Sequence, residues 1–188
     1  MVAERPDVPR LEPGTRVHVL TVSDGVAGGT RDDLSGAAIR TRVIELGGTV
    51  SEAVVPDEIE RIGAAIRGAA ARHQIVLTTG GTGLTPRDVT PQATRAVLDL
   101  EVPGIAEAMR AAGRASTPLA DLSRAIAGIV GRSLVVNLPG SPRGALESLG
   151  AIEGVLAHAV ETLAGPHDHD AARRDLSVPY DRPKEDAR

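Results

Sequence analysis

Apolar positions along this chain fall into short continuous runs that alternate with longer periodic stretches. From Arg16, RVHVLTV reads as a buried strand, stopped by the turn signal SDG at 23–25. The stretch 34–46 places Ile39, Val43 and Leu46 on one helical face, and Gly47-Gly48 closes it as a C-cap would. TVSEAVVP (49–56) predicts a second strand. Asp57 is expected to cap the following helix, which carries Ile59, Ile62 and Ile66 to about Arg72. QIVLTT predicts a third strand, ending in the loop GGTGLTPRDVTP at 80–91.

Thr90-Pro91 has the form of an N-cap followed by proline at the first helical position. PGIAEAMRAAGR (103–114) and LADLSRAIAGIVG (119–131) predict two more helices, the second ending at Gly131. SLVVNLPG (133–140) predicts a last buried strand and turn, covered by a helix from about Arg143 to Leu163. Strands alternating with helices, the strands almost wholly apolar, predict an α/β layer fold with a mostly parallel sheet. The chain divides into an arm over 1–14, one domain over 15–165 and a polar, mixed-charge tail over 166–188. Within the tail, HDHD (167–170) has the residue types of a metal site but reads as a solvated segment.

Composition narrows the chemistry. Hydrophobic residues make up 41% of 188, yet there is no Trp, no Phe and one tyrosine, Tyr180, so the core is aliphatic. A formal net charge of -4 and the lack of aromatic platforms argue against nucleic-acid binding. The absence of cysteine excludes disulfides, thiolate metal sites and cysteine nucleophiles. The start MVAERPDVPR lacks a signal-peptide core, and no run reaches the roughly 18 apolar residues of a membrane span. A soluble cytoplasmic protein is expected.

In a parallel α/β sheet, ligands bind beyond the carboxyl ends of the strands. Four loops are predicted there: Ser23-Asp24-Gly25, VPD at 55–57, the loop 80–91, and NLPGSP at 137–142. Gly80, Gly81 and Gly83 permit close backbone approach, so that N–H groups can turn toward an anion, and Thr82 adds a hydroxyl. An isolated GGTG is equally compatible with a tight strand-to-helix turn that holds no ligand. Neither the dinucleotide nor the nucleotide phosphate fingerprint fits: Pro86 stands where the first needs glycine, and the loop has no lysine for the second. Asp88 beside such a loop favours a phosphate bridged by Mg²⁺, while Asp57 alone suits a helix cap. Asp24 alone suits a turn and Ser141 alone a turn; in company both become candidate ligands.

These stretches resemble the MoaB/Mog family of molybdenum-cofactor biosynthesis proteins. The resemblance rests on TTGGTGLTPRDVTPQAT (78–94), with TVSDG (21–25), DLSG (33–36), VVPDE (54–58), EVPGIAEAMR (101–110), LSRAIAG (122–128) and VVNLPGSPRGALESL (135–149). It implies a three-layer α/β/α domain, assembled as a homotrimer. It also implies a molybdopterin adenylyltransferase, in which the terminal phosphate of molybdopterin attacks the α-phosphorus of Mg-ATP and pyrophosphate leaves. A separate molybdenum-insertion enzyme would use the product. Carried over by motif, the catalytic and Mg²⁺-holding carboxylates are Asp57 and Asp88. Substrate binding falls to Ser23, Asp24, Gly80, Gly81, Thr82, Gly83, Pro139, Gly140 and Ser141. Leu84 and Ile105 stand where many relatives have an aromatic residue. Other readings within the resemblance are a binding-only paralogue and a CinA-like nucleotide hydrolase.

Overall fold

The structure, a computed structural model, describes residues 10–165. The first nine residues, HDHD and the rest of the tail lie outside the described residues. Six strands form one sheet: β1 (Arg16–Val22), β2 (Thr49–Val55), β3 (Ile75–Thr79), β4 (Leu100–Glu101), β5 (Ala127–Val130) and β6 (Ser133–Leu138). Their order is β2-β1-β3-β6-β5-β4, parallel through β6 and antiparallel for β5 and β4.

The central strands are buried on both faces, which is why they read as continuous apolar runs. Ile75 and Leu77 face the same side as Ile39 and Val43 of α2 (Leu34–Glu45), Met109 of α5 (Pro103–Gly113), and Leu149 and Ile152 of α6 (Pro142–Ala164). Val76 and Val135 face the other side, against Ile62 and Ile66 of α3 (Ile59–Ala70) and Ala93 of the short α4 (Thr90–Arg95). The result is a three-layer α/β/α domain.

Local expectations fail where a partner outside the predicted element claims the residue. The helix predicted over 119–131 is a 3₁₀ turn, Pro118–Leu122, followed by β5. Ala127–Val130 pairs with β6 from Ala127↔Val136 to Val130↔Ser133. Gly131, at φ 59°, turns this hairpin and caps no helix. Asp57 does not cap α3: the N-cap is Glu58, without a side-chain capping bond. Thr90 is the first residue of α4, and Val89 is its N-cap. SDG opens a four-residue helix, α1 (Asp24–Ala27), with the Ser23 hydroxyl accepting the Val26 N–H at 3.3 Å.

One buried side chain ties the elements beneath the predicted rim together. Asn137 is fully buried, and its amide donates to the Thr78 and Thr94 hydroxyls at 2.9 Å each. It thereby joins β6 to β3 and α4. Asn137→Ala leaves both hydroxyls buried with one partner fewer and is expected to destabilise the fold by about 3 kcal/mol. Thermal unfolding is the check, with Tm lowered by roughly 6–12 °C.

At the sheet's other half, His18 Nδ1 and His73 Nε2 each lie 2.8 Å from the Ser51 hydroxyl, and His73 Nδ1 lies 2.8 Å from the Ala69 carbonyl. A carbonyl only accepts, so His73 Nδ1 carries its proton. With both rings neutral, the proton order runs His18 to Ser51 to His73 to Ala69. Burial, followed by the charges of His73 and Arg72, lowers the His18 pKa from 6.5 to about 4. The folded protein therefore disfavours the proton that the unfolded chain takes up below pH 6.5. This contribution to stability is complete above that pH and is lost as pH falls toward 4, by up to about 3 kcal/mol. Urea unfolding across this window should show stability rising with pH, and His18→Asn should flatten the slope.

Candidate functional site

The parallel registers Val22↔Val55, Thr21↔Thr79 and Thr79↔Leu138 bring β1, β2, β3 and β6 to an end at one rim. The four loops predicted to converge do converge there. The glycine loop and the PGSP turn touch: a Cβ on Gly140 would sit 3.1 Å from the Gly80 Cα. The Thr79 hydroxyl, donating to the Pro139 carbonyl at 2.7 Å, holds the two turns together. Gly80 and Gly81 have φ of 99° and 63°, and a Cβ on either would collide with Val22 or Thr90.

Within the loop, carbonyls face the protein. Gly80 C=O accepts the Thr90 hydroxyl at 2.8 Å, and Gly81 C=O accepts the Thr90 N–H at 3.1 Å. Thr82 C=O accepts the Arg124 N–H at 3.1 Å, and Gly83 C=O accepts Arg124 Nε at 2.7 Å. In a trans peptide the N–H points opposite to the C=O. The N–H groups of Gly81 and Thr82 accordingly turn away from these partners, and neither has a hydrogen-bond partner among the described residues. The same holds for the N–H groups of Gly140 and Ser141, at the start of the 23-residue α6. The Ser141 hydroxyl caps that helix by accepting the Gly144 N–H at 3.2 Å, which puts the positive end of its dipole at the same place.

Carboxylates line the opposite side. Asp24 and Asp57 bond reciprocally: Asp57 Oδ2 accepts the Asp24 N–H at 2.9 Å, and Asp24 Oδ1 accepts the Asp57 N–H at 3.0 Å. Arg87 closes an ion pair onto Asp24 Oδ2. The Asp57 N–H and then the Arg87 guanidinium hold the Asp24 carboxyl below the usual range. Asp57 Oδ1 faces Gly81, 3.2 Å from where a Cβ would stand. Asp88 Oδ2 accepts the Thr85 N–H at 2.8 Å and its hydroxyl at 2.6 Å. Burial alone would raise the Asp88 pKa. The Thr85 and Gly83 donors with the Arg124 charge outweigh it, so Asp88 titrates below its ordinary value.

The turns separate two clefts. A polar one of about 310 Å³ is lined by Ser23, Asp57, Gly80, Gly81, Asp88 and Gly140. An apolar one of about 470 Å³ takes Thr82, Gly83, Pro139 and Ser141 as one wall, with Leu84 at its edge and Met109, Leu119 and Leu122 opposite. Ile105, by contrast, is core. The sequence-predicted residues thus meet in one place but on two sides of one wall. Arg87, Thr90 and Arg124 were not among them, although each lies in a stretch that carries the family resemblance. Among the described residues, no group of three or more histidines and carboxylates converges as a ready metal site. Asp57 and Asp88 both line the polar cleft, and their carboxylates are hard oxygen donors of the kind Mg²⁺ takes. No described helix is long and apolar enough to cross a membrane.

The chain is similar to known proteins in sequence and fold. A family described as "Probable molybdopterin binding domain" matches residues 18–158. The chain is 40% identical over 162 residues to the molybdenum cofactor biosynthesis bifunctional protein of Synechococcus elongatus, covering 85% of this chain and 50% of that protein. The chain therefore spans half the length of that relative. Against the molybdopterin adenylyltransferase of Helicobacter pylori strain J99 it is 37% identical over 154 residues, covering 79% of this chain and 88% of the relative. The crystal structure of the molybdopterin biosynthesis enzyme MoaB from Thermus thermophilus superposes with a TM-score of 0.75 at 49% identity, over 79% of this chain and 96% of that one. With fold, loops and sequence in agreement over most of its length, the chain belongs to the MoaB/Mog family of molybdenum-cofactor biosynthesis proteins.

Proposed function

We propose that this protein adenylylates molybdopterin, using ATP and Mg²⁺. The observation that carries the reading is the shared wall: backbone N–H groups without a hydrogen-bond partner among the described residues lie where a polar cleft and an apolar cleft adjoin. The apolar cleft suits a pterin ring, and the polar one suits a nucleotide's phosphates. A phosphate at the end of molybdopterin would then reach the wall from one side and the α-phosphorus of ATP from the other. The reaction forms one bond between a molybdopterin phosphate oxygen and the α-phosphorus, and breaks the bond from that phosphorus to the bridging oxygen. Pyrophosphate leaves.

The attacking group is itself an anion, so no serine, cysteine or histidine nucleophile is required, and catalysis rests on positioning and charge stabilisation. The N–H groups of Gly81 and Thr82, with those of Gly140 and Ser141, donate to phosphate oxygens at fixed positions. Arg87, already paired with Asp24, lies within the polar cleft and offsets phosphate charge. Mg²⁺ arriving with the nucleotide would be held by Asp57 and Asp88 and would neutralise charge on the phosphates. The relative named molybdopterin adenylyltransferase, which this chain spans almost entirely, supports the same reaction. Assembly as a cytoplasmic homotrimer that supplies a molybdenum-insertion enzyme completes the proposal.

Incubation with molybdopterin, Mg²⁺ and ATP labelled at the α-phosphate should yield labelled adenylyl-molybdopterin and pyrophosphate. Asp88→Asn should slow this by at least about 100-fold, while Tm stays close to wild type because the side chain lies on a loop. A binding-only protein would retain molybdopterin without forming the adduct, and Asp88→Asn at the wild-type rate would remove that carboxylate from the mechanism.

A further inference from the structure

We propose that Arg124 is a positioning residue, which orients the Asp88 carboxylate and the second half of the glycine loop by holding their carbonyl groups. The proposal rests on the adenylyl-transfer reading for its kinetic consequence, but its geometry stands apart from it. Arg124 is half-buried beneath the loop. Its backbone N–H bonds Thr82 C=O at 3.1 Å, Nε bonds Gly83 C=O at 2.7 Å, and a terminal guanidinium nitrogen bonds Asp88 C=O. One residue thus fixes three peptide planes on both sides of the Leu84–Arg87 tip.

The consequence follows from peptide geometry. With Thr82 C=O drawn to Arg124, the N–H of the same peptide, that of Gly83, points the other way, and Asp88 Oδ2 lies beside Gly83, 3.0 Å from where a Cβ would stand. With Asp88 C=O held as well, the aspartate is set from its backbone and from its side chain at once. A glycine-rich loop can flip a peptide at little steric penalty. A flip at Thr82 or Gly83 would turn a carbonyl toward the phosphates and release Asp88. The backbone N–H of Arg124 opposes the flip at Thr82, and its guanidinium fork opposes the flip at Gly83 while holding Asp88 C=O, which a lysine's single ammonium does not do as well.

The strut under Arg124 is itself braced. Arg110 donates to the carbonyls of Ser123 and Ala125, at 3.4 and 3.1 Å. Ile126 exchanges bonds with Asn137: its carbonyl accepts the Asn137 N–H at 3.0 Å, and its N–H reaches Asn137 Oδ1 at 3.4 Å. Position therefore passes from the sheet through segment 123–126 to the loop. This accounts for the non-helical course of that segment: in a continuous helix its N–H and C=O groups would bond along the helix itself.

The test compares wild type with Arg124→Ala, Arg124→Lys and Asp88→Asn, each shown to be folded by circular dichroism. Arg124→Ala should lower kcat for adduct formation by about 100-fold, and Arg124→Lys should fail to restore it fully. The double variant Arg124→Ala/Asp88→Asn should be no slower than Asp88→Asn to within about twofold, because both changes remove one function. Amide hydrogen exchange over 81–89 should quicken in the Arg124 variants while the central strands stay protected. A wild-type kcat in Arg124→Ala, additive losses in the double variant, or unchanged exchange over 81–89 would each overturn the proposal. If Arg124→Ala does not fold, Arg124→Lys supplies the same readouts. If the wild type forms no adduct, the adenylyl-transfer reading fails, and exchange over 81–89 still decides whether Arg124 holds the loop.

Discussion

Four consecutive carbonyls, from Gly80 to Gly83, each accept a hydrogen bond from Thr90 or Arg124, and the site depends on that. A polypeptide that offers N–H groups to an anion must put the matching carbonyls elsewhere, since a carbonyl dipole turned toward phosphate repels it. Thr90 satisfies the first two from the start of α4 and Arg124 the next two from the segment before β5. The rest of the fold brings these two donors under one loop. The parallel strands end at one level, Asn137 ties α4 to the sheet, and the β5–β6 hairpin fixes the far end of the Arg124 strut.

This constraint explains the composition of the loop. Glycine stands at 80 and 81 because positive φ and the closeness of Val22 and Thr90 leave no room for a Cβ. The charged side chains stand around the loop. Asp57 and Asp24 lie across the cleft in a reciprocal pair, Arg87 closes on Asp24, and Asp88 folds back on Thr85. Their hydrogen bonds hold Asp24 and Asp88 below the ordinary carboxylate range, so both stay ionised near neutral pH.

The parallel sheet was legible because β1, β3 and β6 are buried on both faces, and burial on both faces writes an unbroken apolar run. The convergence of the loops followed from topology alone. What was illegible depends on partners outside the local stretch. LADLSRAIAGIVG has leucines and isoleucines at helical spacing, yet β6 recruits its second half as a strand and the loop recruits Arg124. Asp57 looks like a helix cap until the Asp24 N–H is seen to occupy Oδ2. Thr90 looks like a cap until its hydroxyl is found on Gly80. Local pattern reports local competition, and for Asp57, Thr90 and Arg124 the winning partner was 10 to 41 residues away.

On the proposed reading, the N–H groups of the two turns that lack partners among the described residues are the phosphate ligands. Amide NMR of the isotope-labelled protein, titrated with inorganic pyrophosphate and Mg²⁺, tests it most directly. Saturable shifts concentrated at Gly81, Thr82, Gly140 and Ser141 are expected. Saturable binding that leaves those four amides unmoved and shifts others instead would contradict it.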